Sequence, residues 1–392
     1  MIEIKNKSLC SGCASCVNAC PKKIIKLTED EEGFNYPIID KAKCIDCHLC
    51  EKACPLLNNK WLDLCQKDKR YPKFYAGQLK NKSVLLEVSS GGAFWAFAQE
   101  IIQRGGIVYG AAQYHVDDIR HIRVSNLEEA KALRRSKYLQ SNIGDTYNQV
   151  KKDLKDGLTV LFSGTGCQIG GLMSFLGKDY DNLYTCDVVC HGVPSRKVWK
   201  AYRNEKEERE SKKIVDLIFR DKSLGWQNNQ YKIVYDDNTI EKEDSSFQLF
   251  HAGYLSGLFY RPSCGSCKFS TLPRISDITL ADYWKYSGKF YNAENDLGVS
   301  LISVNSPKGV NLLFSSEEYL DIEVTKESLA LSSCRHLDEH PIENRNRPAF
   351  FKVFLKHGYF SAAHLFVDYK KNPSQLYRAF RKIKRIAACL LS

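Results

Sequence analysis

The chain has 392 residues, 43% hydrophobic and 26% charged, a balance that excludes wholesale disorder and implies two or three hydrophobic cores. No apolar run approaches the roughly 18 residues a membrane-spanning helix needs, and the start, Met1-Ile2-Glu3-Ile4-Lys5, lacks an apolar signal segment, so the expected location is the cytoplasm. The net charge of +11 is concentrated in Lys370 to Ser392, which has seven basic residues and no acidic one, so nothing marks the body as a nucleic-acid binder.

Sixteen cysteines in a chain expected inside the cell point to metal or redox chemistry, not disulfides. Cys10-Ser-Gly-Cys13-Ala-Ser-Cys16-Val-Asn-Ala-Cys20-Pro21 recurs as Cys44-Ile-Asp-Cys47-His-Leu-Cys50-Glu-Lys-Ala-Cys54-Pro55. This is the two-fold C-x2-C-x2-C-x3-C-P run of two 4Fe-4S clusters. Three thiolates of one tight loop reach three corners of a cube, and the fourth serves the other cube. Cys10, Cys13, Cys16 and Cys54 are therefore assigned to one cluster, and Cys20, Cys44, Cys47 and Cys50 to the other. Zinc sites instead show pairs separated by a longer loop. His48, inside the second loop, is read as a surface or packing residue. Between the copies, Ile24–Leu27 and Gly33–Ile38 read as two short strands around an acidic turn. Residues 1–60 are thus an α+β ferredoxin-like dicluster domain, and 61–74 read as a polar linker.

Beyond it, Ser89-Ser90-Gly91-Gly92 precedes an apolar helix to Arg104, ended by Gly105-Gly106, and a strand follows at Ile107–Tyr109. Helices are expected over Leu127–Leu139 and Gly144–Leu154. The buried strand Leu158–Phe162 runs into Ser163-Gly164-Thr165-Gly166-Cys167-Gln168 and a helix to Leu176, and Leu183–Val189 is a second buried strand. The alternation predicts a mixed α/β domain with a largely parallel sheet. Asn204–Lys213 reads as the solvated face of a helix, and strands are expected at Ile214–Phe219 and Tyr231–Tyr235. The two Gly-rich helix starts offer N–H groups to a phosphate, or are simply capped and closely packed. Gly164, Gly166 and Gly170 also form a weak dinucleotide-type pattern. Cys186, in mid-strand, is expected in the core.

From about Phe74 to Trp284 the chain resembles the beta-subunit family of coenzyme factor-420 (deazaflavin) hydrogenases and dehydrogenases. The segments that carry the resemblance are Ser90-Gly91-Gly92, Ser136 to Ser141, Phe162 to Gln168, Val189 to Ser195, Phe219 to Lys222, Cys264 to Lys268 and Ile275 to Trp284. Where the family commonly has proline, this chain has Gly166. The resemblance implies a body in two parts, 75–155 and 156–345, that binds FAD and a further 4Fe-4S cluster. Cys167, Cys190, Cys264 and Cys267 are the expected ligands of that third cluster. Ser90, Gly91, Gly92, Ser163, Gly164, Thr165, Gln168 and Arg220 are the expected FAD-binding residues. Lys137 and His191 are expected at the chemistry, with salt bridges and structural hydrogen bonds as the bland alternatives.

Residues 346–392 are expected to form a basic helical tail, with Leu376, Phe380, Ile383, Ala387 and Leu390 opposite Arg378, Arg381, Lys382 and Arg385. It docks on the body or makes a peripheral membrane contact. The expected function is an iron–sulfur flavoprotein oxidoreductase working with a redox partner protein or ferredoxin and a small two-electron substrate. The alternative is a non-catalytic electron-transfer subunit that wires a partner enzyme.

Overall fold

The computed structural model describes residues 1–367 apart from 59, 66, 229, 245–248 and 292–295, so the amphipathic stripe expected from Leu376 to Leu390 lies outside the described residues. In the N-terminal unit, β1 (Ile25–Glu29) pairs antiparallel with β2 (Asn35–Ile39). The turn between them is closed by Asp30, whose carboxylate accepts from the N–H groups of Glu32 and Phe34. The sequence repeat is also a backbone repeat. Gly12 and Ala14 are left-handed in the first copy, and Asp46 and His48 in the second, each before a one-turn helix (Ser15–Ala19 and Leu49–Lys52). His48 is exposed there, its ring 2.6 Å from Glu51, in keeping with a surface role.

In the body, β3 (Lys73–Leu79), β4 (Ile107–His115), β5 (Asp118–Val124), β6 (Val160–Thr165) and β7 (Leu183–Val188) come first. A separate antiparallel sheet of β8 (Ile214–Asp221), β9 (Gln230–Tyr235) and β10 (Ile240–Asp244) follows. The chain then returns as β11 (Ile278–Asp282), β12 (Ser300–Val304) and β13 (Leu320–Thr325). The main sheet has the order β13-β3-β12-β11-β7-β6-β4-β5. Only its centre, β4-β6-β7-β11, is parallel, while β5 on one side and β12, β3 and β13 on the other pair antiparallel. The central strands are apolar runs buried on both faces, as parallel strands must be. Cys186 lies among them, fully buried.

Four expectations are corrected. The helix expected over Leu127–Leu139 stops at Ala130, with one 3-10 turn to Leu133. Arg135 is left-handed, and the chain then turns Tyr138 onto Phe219 and Tyr254 and buries Leu139. The expected linker holds a helix, Lys60–Cys65, whose Trp61 and Leu62 pack into the core around Phe162 and Leu172. The boundary at 345/346 falls inside a core, because Phe350, Phe351 and Phe354 pack with Trp199, Tyr202 and Phe250. In the charge run from Asn204, Lys206 and Glu207 are buried rather than solvated. No helix among the described residues is long and apolar enough to cross a membrane.

Between β7 and β11 the chain makes an excursion that is fastened at its end by a buried ion pair. Asp187, 0% exposed, accepts from Arg274 at 2.8 and 3.1 Å, and also from Ser276 and Thr279. Arg274 in turn donates to the Leu337 carbonyl. Removing one partner of such a pair leaves a buried, unpaired charge. Arg274→Met should therefore lower stability by ~3–5 kcal/mol, read as a reduced denaturant midpoint by circular dichroism. A loss below about 1 kcal/mol, the size of an exposed pair, would contradict this account.

Candidate iron–sulfur and cofactor site

The cysteines line three pockets. Cys20, Cys44, Cys47 and Cys50 line the outermost, with Met1 and His48 at its rim, and Cys47 is exposed. Cys10, Cys13, Cys16 and Cys54 line the next. Each set is thus three cysteines of one repeat copy and the last cysteine of the other. Ile2 and Ile25 pack with Cys16 and Cys50 between the two sets. The third pocket, of about 850 Å³ with its open mouth included, is lined by Cys167, Cys190, Cys264 and Cys267 together with Thr165, Gly166 and Arg274. It shares Leu9, Ser11 and Leu56 with the second pocket. Among the described residues, no three Cys, His or carboxylate groups converge on a single-ion site.

The elements explain the third pocket. Cys167 is in the first turn of the helix Gly166–Leu176, which follows β6, and Cys190 follows β7. Both therefore stand at the carboxyl ends of parallel strands, the side where ligands bind in such sheets. The 3-10 turn Pro262–Ser266 brings Cys264 and Cys267 to them from the excursion, and the Val193 N–H lies 3.3 Å from the Cys264 sulfur. Burial pushes the Cys167 thiol up to about 11 and Cys190 to about 12, with the neighbouring thiols adding to the rise. Cys264 is raised too, first by burial and then by the neighbouring thiols. Such thiols ionise only beside a strong positive charge, which the iron of a cluster supplies. The donor set fits a 4Fe-4S cluster.

Helix Gly166–Leu176 is the wall between the second and third pockets. Thr165 caps it in a capping box, accepting from its third residue while the Gln168 carboxamide oxygen accepts from the Thr165 N–H at 3.0 Å. Gln168 is thereby used in the cap, and its amide donates to Ser141. A Cβ on Gly166 would stand 2.9 Å from that of Phe269, one on Gly170 2.5 Å from the Phe269 ring, and one on Gly171 3.1 Å from the Cys13 sulfur. The Gly164, Gly166, Gly170 pattern is thus close packing and not a dinucleotide loop, and Gly166 is held by its cap and by Phe269. Ser163 accepts at its carbonyl from the His121 ring at 2.8 Å. His121 is buried, which lowers it to about 4.

The other expected residues divide between two places. Ser90, Gly91 and Gly92 form no open cradle. Ser90 donates to Val299, Gly91 to the Ser300 hydroxyl, and a Cβ on Gly91 would strike the Gly77 carbonyl at 2.1 Å. Yet Ser89 bonds Ser136 at 2.8 Å, and the buried ammonium of Lys222 donates to the carbonyls of Ser90, Leu85 and Leu297. Arg220 pairs with Asp282 at 3.0 Å, its guanidinium over the Trp284 ring. Arg220 also interacts with Tyr138. Ser89 and Arg220 thus reach the loop Ser136–Ser141, which carries Lys137, and Ser90 adjoins Ser89. Lys137 lines a groove with Lys131, Arg134, Arg135 and Gln113. It donates to the Arg134 carbonyl at 2.6 Å, and burial followed by repulsion from Arg135 lowers its ammonium to about 7. Ser163, Gly164, Thr165 and Gln168 lie apart, beside the third pocket, linked to that loop through Ser141. His191 lines a separate open groove, its ring 4.7 Å from that of His336. Burial, then His336, lowers it to about 4. Sequence reasoning missed Asp187, Arg274 and His121. Asp187 is a charged residue in a largely apolar, buried strand, a signal that partners wait nearby, whereas His121 stands among the charged residues of β5 and gives no such signal.

Residues 157–328 match the family model for the C terminus of the coenzyme F420 hydrogenase/dehydrogenase beta subunit, and residues 9–57 match the 4Fe-4S dicluster domain. A coenzyme F420-dependent sulfite reductase of Methanocaldococcus jannaschii is 26% identical over 197 residues, 49% of this chain and 29% of that protein. An uncharacterised protein of Porphyra purpurea is 46% identical over 48 residues, 12% of this chain and 64% of its own length. The chain spans less than two thirds of the length of these relatives. A structure of the F420-reducing NiFe hydrogenase complex from Methanosarcina barkeri aligns with 69% of this chain and 92% of its own at 13% identity, with a TM-score of 0.45. Behind a 4Fe-4S dicluster domain at residues 9–57, residues 157–328 are therefore similar to the C-terminal region of the coenzyme F420 hydrogenase/dehydrogenase beta subunit.

Proposed function

We propose that the chain is an iron–sulfur flavoprotein oxidoreductase. It passes electrons between its N-terminal clusters and FAD on the body, by way of a third cluster, to reduce or oxidise a two-electron organic substrate. The observation that carries this reading is the file of three pockets, each lined by four cysteines, running from the exposed Cys47 into the body. When bound, the clusters supply single electrons and FAD joins them to two-electron chemistry.

The chain's own residues divide the work. Cys20, Cys44, Cys47 and Cys50 hold the outer cluster, and Cys10, Cys13, Cys16 and Cys54 the inner one. Cys167, Cys190, Cys264 and Cys267 hold the third. The exposed rim at Cys47 suits a redox partner protein or ferredoxin, since a partner must come close for transfer. Arg135 and Lys137 offer cations to the FAD pyrophosphate in their groove, with Ser90 and Arg220 behind them. His191, next to Cys190 at the second groove, faces the organic substrate. A deazaflavin is the substrate class suggested by the name of the archaeal sulfite reductase.

Three measurements test this reading. Cys20→Ser should damage the same electron paramagnetic resonance signal as Cys47→Ser and spare the one lost in Cys13→Ser; the reverse would break the crossed ligation. In the full chain, Cys267→Ser should lower iron content by about four per chain, the content of one such cluster, and an unchanged iron count would remove the third cluster. Anaerobically purified protein should release about one FAD per chain, as a cofactor linking one- and two-electron steps requires. Arg135→Ala with Lys137→Ala should lower that yield at unchanged fold. Protein holding only nicotinamide, or no organic cofactor, would sink the flavin assignment.

A further inference from the structure

Arg261 belongs to the body, three positions before Cys264, yet its guanidinium lies against the N-terminal domain. Nη1 donates to the Cys10 carbonyl at 3.0 Å and Nη2 to the Asn35 carbonyl at 2.8 Å. The rings of Tyr36 and Phe34 stand 4.8 and 5.4 Å from its central carbon. The residue is 0% exposed, and its Nε has no hydrogen-bond partner among the described residues. Glu32, the nearby acidic side chain of the β1–β2 turn, is already taken by both terminal nitrogens of Arg347, at 3.1 and 2.5 Å. Gly12 makes the room. Its φ is +69°, and a Cβ there would stand 2.6 Å from Arg261 Nη2.

A buried guanidinium bonded only to carbonyls and ring faces carries an uncompensated positive charge, which is costly in a protein interior. Ring faces and carbonyl dipoles offset part of that cost. The remaining need is for an anion. The cluster to be held by Cys10, Cys13, Cys16 and Cys54 is one, because four thiolates outweigh the charge of its core and reduction adds one more negative charge. The outer pocket differs. Its cations are Met1, paired with Glu51 at 2.7 Å, and the exposed Lys22, where solvent screens charge.

We propose that Arg261 is the counter-ion of the inner cluster and raises its reduction potential above that of the outer one. The inference rests on the ligand sets proposed above. The step concerned is the movement of one electron from the outer cluster to the inner; no bond forms or breaks and no proton is required. Because the cation belongs to the body, the downhill step exists only while the N-terminal domain is seated on it.

The test is a potentiometric titration of the full chain, isolated anaerobically and followed by electron paramagnetic resonance, for wild type, Arg261→Lys and Arg261→Gln. The inner signal is the one lost in Cys13→Ser. Arg261→Gln should shift that signal to a more negative potential, Arg261→Lys should leave it near wild type, and the outer signal should not move in either. In wild-type protein labelled with 15N-arginine, spin-echo modulation of the reduced inner cluster should show a weak nitrogen coupling that Arg261→Lys removes. An unshifted inner potential in Arg261→Gln, or no arginine coupling in wild type, overturns the proposal. If Cys13→Ser and Cys20→Ser abolish one and the same signal, the ligand pairing itself is wrong and the inference falls with it.

Discussion

A four-iron cube needs four thiolates, and in the two-cluster repeat one loop supplies only three of them. That constraint orders the molecule. In the N-terminal unit it draws the last cysteine of each repeat copy to the pocket of the other, so neither copy is complete alone. The left-handed residues Gly12, Ala14, Asp46 and His48 are the local consequence, because each tight loop must point three side chains inward within seven residues. In the body the ends of β6 and β7 likewise meet a pair of cysteines delivered from the long segment before β11, and the four line one pocket. Ordering a segment of that length costs backbone entropy. The Asp187–Arg274 pair and the aromatic core around Trp199 and Phe250 are what hold it.

The two halves of the molecule meet at one helix. Gly166–Leu176 presents Cys167 to the third pocket at its first turn and Gly171 to Cys13 at its second. Ser15 reinforces the contact by donating to both the Ala53 and Gly171 carbonyls, and Tyr147 by donating to those of Cys13 and Gln168. Glycine is needed here for closeness, not for conformational freedom, since any side chain would hold the two pockets apart. Asn18, bonded to the Gly144 carbonyl, and Gln140, bonded to that of Ser11, complete the seat. The interface is tight where the second and third pockets share walls, which is where the proposed electron path would cross it.

What could be read from the sequence is what short-range spacing encodes. The eight cysteines of the repeat, the hairpin between its copies and the buried strands β6 and β7 all announce themselves within a dozen residues. The antiparallel flank of β12, β3 and β13 does not, because pairing between strands more than two hundred residues apart leaves no local periodicity. The helix expected over Leu127–Leu139 failed for a related reason. Its apolar spacing serves Leu133 and Leu139 on either side of a turn, and tertiary packing of Tyr138 outweighs propensity. The Gly-rich stretches were ambiguous because a phosphate cradle and a close helix crossing use the same residue. Only the positions of Phe269, Ser300 and Cys13 distinguish the two.

Exposure along the file of pockets gives the proposed electron path a physical sense. Water stabilises added charge at the outer rim, where Cys47 is exposed, and does so whatever the protein supplies. Inside, that stabilisation must come from fixed groups: backbone N–H groups such as that of Val193, the guanidinium of Arg261, and Arg274 with its charge shared by Asp187. Fixed groups act without reorganising when charge arrives, which is the condition for moving an electron at small cost. The body also carries two polar grooves, one lined by Lys137 and one by His191. A chain that only relayed electrons between proteins would need its outer rim but not those grooves. Their presence on the body supports the proposed chemistry on a small substrate over simple conduction.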